Sequence, residues 1–160
     1  MKKILIPTDF TVESLQLVEY AILNFPNTKL EIILIAGYKL PDTRWEVTHF
    51  KAKEQFRKQL SNEFIAYERR LILEHENHIE AISFELFTGI NSYSFQNFLK
   101  QLDVEDAVVP KGAFSHSPNH KWFDTTKYLK KCVNNVVEVS LDVTDEEPQR
   151  KFSLVSLFNS

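Results

Sequence analysis

The first ten residues read Met1-Lys2-Lys3-Ile4-Leu5-Ile6-Pro7-Thr8-Asp9-Phe10. Two lysines lead into three large apolar residues, and the run stops at Pro-Thr-Asp. A short unbroken apolar run closed by a polar turn reads as a strand covered on both faces. Thr11 follows as a helix N-cap, with Glu13 suited to the positive end of the helix dipole. Leu15, Val18, Ile22 and Phe25 then recur at helical spacing until Pro26-Asn27 ends the helix. A strand feeding a helix opens an α/β unit, and in open α/β sheets ligands sit at the carboxyl ends of strands. Thr8 and Asp9 therefore stand at a candidate site.

The alternation continues outward from this start. Residues 29–36 make a second strand, with Gly37 as its breaker, and 38–45 form a loop. A long helix is expected over about 46–76, its buried stripe marked by Phe56, Leu60, Phe64, Tyr67 and Leu71. Its charged residues fall mostly elsewhere on the wheel, as on a solvated face. Residues 79–88 form strand three, ended by Gly89, and a helix over about 91–101 turns Phe95, Phe98, Leu99 and Leu102 inward. Strand four carries Ala107-Val108-Val109, residues 112–123 are a polar loop, 124–132 a short helix, and 136–140 strand five, from Val136 to Ser140. The order β-α-β-α-β-α-β-α-β predicts an open, parallel, five-stranded α/β sheet with helices on both faces.

Composition bounds the function. A chain of 160 residues suits one domain of ordinary size, and 43% hydrophobic with 26% charged residues is ordinary for a soluble protein. The net charge of −3 and the lack of a long basic run argue against nucleic acid as the main partner. Cys132 is the only cysteine, which rules out an intrachain disulfide and suits a reducing cytoplasm. The apolar run after Lys3 is too short for an export signal. No stretch reaches the roughly 18 apolar residues of a membrane span. The thirteen Phe are many for this length and point to helix–sheet seams or a partner face.

Residues 1–140 resemble the universal stress protein family. Pro7-Thr8-Asp9 after strand one, Gly89 between strand three and its helix, the Asp106-Ala107-Val108-Val109 strand and Gly112 directly after it carry the resemblance. The block from Lys131 to Val139 is similar to the family's closing helix end and last strand, without its usual Pro. The resemblance implies a Rossmann-like sheet of order 3-2-1-4-5. It also implies dimerisation through the last strand, here 136–140. Nucleotide-binding members carry Gly-x-x-Gly, nine residues, then Gly-Ser or Gly-Thr, a loop whose glycines let backbone amides approach phosphates. The same register here gives Gly112, Ser115, nine residues, then Thr125-Thr126. Two of the three glycines are replaced. A non-glycine residue at a left-handed position costs about 1–2 kcal/mol, so family-type ATP binding is not expected.

The leading reading is a cytoplasmic stress-response or signalling module that works through dimerisation and partner contacts rather than catalysis. It needs no cofactor and touches neither nucleic acid nor membrane. An alternative is an ATP-binding protein or slow ATPase, with or without magnesium. Its site would draw on Pro7, Thr8 and Asp9, on Ile35 and Ala36, and on Gly112, Ser115, Thr125 and Thr126. Lys111 and His116, with His120 and Lys121 nearby, would then hold the anion through side chains. Trp122 and Phe123 would stack on a base or anchor the loop. A third reading is a carrier of another small anion in the same crevice.

Other constellations are weak. His75 and His78 near a helix end lack third and fourth metal ligands, and His116 and His120 lie in a Pro-containing loop. Cys132 near a helix C-terminus is disfavoured as a thiolate. Ser115 and Ser117 beside His116 have no orienting carboxylate for a triad, and no Gly-x-Gly-x-x-Gly or Walker loop occurs. Residues 141–160 form an extension: an acidic turn with Pro148, then Phe152-Ser153-Leu154-Val155-Ser156-Leu157-Phe158. That run is apolar enough to dock, as an edge strand, a surface helix or an arm on a neighbouring subunit.

Overall fold

The computed structural model describes residues 1–114 and 116–141. The extension from 142 onward and Ser115 lie outside the described residues.

Five parallel strands form the sheet: β1 (Lys2–Pro7), β2 (Leu30–Tyr38), β3 (Ile79–Phe87), β4 (Asp106–Pro110) and β6 (Asn135–Val139). Their order, β3-β2-β1-β4-β6, is the expected 3-2-1-4-5 arrangement, the fifth parallel strand being β6. A sixth strand, β5 (Trp122–Phe123), corrects the loop expected over 112–123. It runs antiparallel on the end of β2, pairing Gly37 with Phe123 and Tyr38 with Trp122.

The period-two alternation of β1 sorts its side chains between two cores. Ile4 and Ile6 join Leu17, Val18 and Ala21 of helix α1 (Gln16–Asn24), and Phe64 and Leu71 of helix α4 (Asn62–Glu74). Leu5 faces the other way, into a cluster with Phe95 and Leu99 of α5 (Ser92–Leu102) and Leu129 of α6 (Thr126–Cys132). Helices thus cover both faces. A 3-10 turn, Val12–Leu15, precedes α1, and Thr11 caps it by accepting the Ser14 amide.

Two further sequence expectations need correction. The single helix over 46–76 is three: α2 (Arg44–Thr48), α3 (Ala52–Gln59) and α4. Thr43 and Ser61 each accept an amide from three residues on, starting new helices. Phe50, in the first gap, packs against Tyr38 with ring centroids 5.4 Å apart. Gly37 does not break β2 but lies inside it. A Cβ there would stand 2.2 Å from the Phe123 ring, so the missing side chain makes room for β5.

Candidate functional site

The carboxyl ends of β1 and β2 meet where the sequence placed the site. Pro7 pairs with Ile35, and the Thr8 amide donates to the Ile35 carbonyl at 3.0 Å. Thr8 is buried and its hydroxyl is committed inward. Ser14 Oγ donates its one proton to the Thr11 carbonyl at 2.7 Å, so Thr8 Oγ1 donates to Ser14 Oγ at 2.9 Å. The same Thr8 oxygen accepts the Phe10 amide at 3.1 Å. Asp9 Oδ1 accepts both the amide and the hydroxyl of Thr11, at 3.1 and 2.5 Å, which closes the turn into the first helix. Phe10 then takes a left-handed backbone, φ 68°, at a cost on the order of 1–2 kcal/mol. Its ring lies edge-on to Trp122 with centroids 4.8 Å apart and 5.9 Å from Phe56.

Trp122 fills the space over the strand ends. It is 5% exposed and lies against Phe10, Tyr38 and Phe56. Ile35 and Ala36 are buried beneath. What remains open among Thr8, Ala36, Trp122, Phe123 and Asp124 is about 20 Å³, room for one water.

The loop carries its own anion. Asp124 Oδ2 accepts the Phe114 amide at 2.9 Å, and Oδ1 accepts the amide and hydroxyl of Thr126 at 2.9 and 2.6 Å. A carboxylate accepts and does not donate, so these three donors are spent internally. At Thr125, one of the two replaced glycines, the left-handed conformation is absent: φ is −93° and ψ 0°. Its hydroxyl is buried with no hydrogen-bond partner among the described residues. Gly112 is not left-handed either, and a Cβ there would meet nothing within 4 Å. At Gly112 and Thr125 the backbone is one that side chains tolerate.

The basic residues gather only in part. His116 is exposed and borders both this crevice and a neighbouring cavity. Lys111 is exposed and borders neither; its amide donates to Val139 and its carbonyl accepts from Lys130 Nζ. The neighbouring cavity, about 310 Å³, is lined by Asp9, Glu13, Pro110, Phe114, His116 and Leu141 among others. Among the described residues no group of three or more His, Cys, Asp or Glu is placed to hold a metal. None of their helices is long and apolar enough to cross a membrane.

Sequence reasoning brought Thr8, Asp9, Ala36, Gly112, His116, Thr125 and Thr126 to one end of the sheet but missed Phe10 and Asp124. Asp124-Thr125-Thr126 spells a helix-start signal, which marks Asp124 as an acceptor of backbone amides rather than a bystander.

By sequence the chain matches no protein-family model and no curated protein. By structure it is similar to the universal stress protein UspA from Lactobacillus plantarum, at 15% identity and a TM-score of 0.54, over 86% of this chain and 97% of that one. It is also similar to a universal stress protein family member from Burkholderia pseudomallei, at 10% identity and a TM-score of 0.50, over 86% and 95%. A universal stress protein in complex with cAMP aligns at 14% identity and a TM-score of 0.48, over 88% and 98%. The chain has the fold of the universal stress proteins, with one short antiparallel strand added to the five-stranded parallel sheet.

Proposed function

We propose that this chain is a stress-response or signalling module of the universal stress protein type, working in the cytoplasm through a second copy and protein partners. Its crevice takes no nucleotide, and it needs no cofactor and catalyses no reaction. The observation that supports this reading is the self-filled crevice. Trp122 lies where a flat ring would enter, leaving about 20 Å³. Asp124 holds the amides of Phe114 and Thr126 that a phosphate would need. A phosphate oxygen about 4 Å from that carboxylate meets a repulsion of about 4 kcal/mol at an effective dielectric constant of about 20. The second-copy contact is the outer edge of β6, which pairs on one side with β4 and ends the described sheet.

Calorimetry with ATP, with and without magnesium, tests the reading on protein first checked for retained nucleotide by mass spectrometry. No heat of binding at millimolar ATP is expected. Micromolar binding or a co-purified nucleotide would overturn it, and would mean that Trp122 and Asp124 move aside.

A further inference from the structure

Helix α2 is five residues long, and none of them is buried against the described residues. A turn this short does not stand on helix propensity alone. Local bonds hold it. Thr43 Oγ1 accepts the Glu46 amide at 3.1 Å, and the Thr48 hydroxyl donates to the Arg44 carbonyl at 2.8 Å. His49 Nδ1–H donates to the Trp45 carbonyl at 2.8 Å, since a carbonyl only accepts. Phe50 then anchors the chain on Tyr38. Trp45, 73% exposed, and Val47, 44% exposed, are thus presented to solvent on a pinned turn. The Trp45 indole rests on the His49 ring, with centroids 3.9 Å apart. A large side chain already held in place loses little entropy when it is covered, and buried Trp is a common interface anchor.

Charge says what covers it. Residues 39–58 carry six lysines and arginines against three carboxylates, in a chain whose net charge is −3. All nine of these residues are exposed. Arg44 lies on the helix itself, and Lys51 and Lys53 follow it. Lys121, also exposed, adds a further cation: its carbonyl accepts the Lys39 amide at 2.8 Å, which brings these two residues together. A second copy would set this positive surface against itself, and like charges across an interface are costly. We infer that α2 and the basic segment around it dock an acidic segment of a partner protein. Its carboxylates lie on these lysines and arginines, and an apolar side chain covers Trp45 and Val47. The inference rests on the proposed function, to which it adds the partner's chemistry.

The test is an NMR titration of the isotopically labelled full chain with a synthetic peptide of alternating glutamate and leucine. The chain has two Trp, so two indole N–H peaks are expected, and Trp45→Phe assigns them. The Trp45 peak should move and saturate, while that of buried Trp122 stays. Trp45→Ala should weaken binding about tenfold or more. Arg44→Glu should weaken it several-fold, and added salt should weaken it in the parent. Both positions are exposed, so both variants should unfold with the parent. A peptide of alternating lysine and leucine should leave the peak in place. No movement with the acidic peptide, or equal movement with both peptides, would overturn the inference. A Trp45 peak that shifts on dilution of the protein alone would overturn it in favour of a second copy. Movement with a single-stranded oligonucleotide but not with the acidic peptide would overturn it in favour of nucleic acid. A Trp45 indole proton shielded from exchange with water in the free monomer would overturn it in favour of the chain covering its own helix. ATP calorimetry reads the Trp122 crevice and this titration reads Trp45, so either result can fail without the other.

Discussion

Glu19 on α1 is 2% exposed, an unusual place for a carboxyl. Oε1 accepts the Tyr67 hydroxyl at 3.0 Å, while Oε2 is buried with no hydrogen-bond partner among the described residues. Burial pushes its pKa above the ordinary 4.5, against the Tyr67 hydrogen bond and the Arg70 charge, which pull it down; Glu74 pushes it up further. Burial and the Glu19 charge also push the Tyr67 phenol up, so it stays a donor. A carboxyl that holds its proton more tightly when folded contributes stability below pH 4.5, and that contribution is lost as pH rises through the folded pKa. Glu19→Gln keeps the acceptor for Tyr67 and cannot ionise. Thermal unfolding from pH 4 to 8 should show the variant gaining on the parent as pH rises above 4.5. Parallel curves would show that Glu19 does not resist ionisation in the fold.

Helices α2, α3 and α4 show how an element-scale signal can mislead. The stripe Phe56, Leu60, Phe64, Tyr67, Leu71 keeps helical spacing across the break at 60–61, so periodicity alone reads one helix. All five still turn inward: Phe56 joins Phe10, Tyr38 and Trp122, while Phe64 and Leu71 lie in the core under Ile4 and Ile6. What separates the helices is capping. Leu60 is extended, with ψ 115°, and Ser61 Oγ accepts the Phe64 amide at 3.0 Å. Ser61→Ala removes that acceptor and should cost about 1 kcal/mol, read as a lower denaturant midpoint at unchanged slope. An unchanged midpoint would mean that packing of Phe64 and Leu71 alone starts α4.

For the whole molecule, the outer edge of β6, which pairs with no strand among the described residues, is the feature with the widest consequence. The Asn135 amide donates inward to Glu105, so by strand alternation the amides of Val136 and Glu138 point outward. An edge that carries no strand among the described residues is a template for a second strand. Glu138→Pro removes one outward donor without breaking the ladder to β4, and Pro is tolerated at such a position. The lost Lys130–Glu138 pair, 3.3 Å and partly exposed, is worth little. Sedimentation should find the parent dimeric and the variant monomeric with its unfolding curve intact. A dimeric variant would place the contact elsewhere.

The opening strand, the α/β alternation and the parallel order could be reasoned from residue patterns. An unbroken Ile-Leu-Ile run must be covered on both faces, and helical stripes between such runs supply the cover. The position of the crevice follows from the same logic, since Thr8 and Asp9 end the first strand. Its contents do not. Trp122 and Asp124 lie more than a hundred residues from Thr8 along the chain, and nothing local to either says that they meet. The antiparallel β5, the missing side chain at Gly37, the left-handed Phe10 and the carboxylate on the Phe114 amide depend on contacts between distant segments. The expectation of glycine strain failed at Thr125 for the same reason. It assumed a backbone borrowed from a phosphate-binding loop, whereas φ at Thr125 is set by where Trp122 and Asp124 anchor the loop in three dimensions. Local patterns specify which surfaces must be buried; only the assembled sheet decides which side chain reaches a given space first.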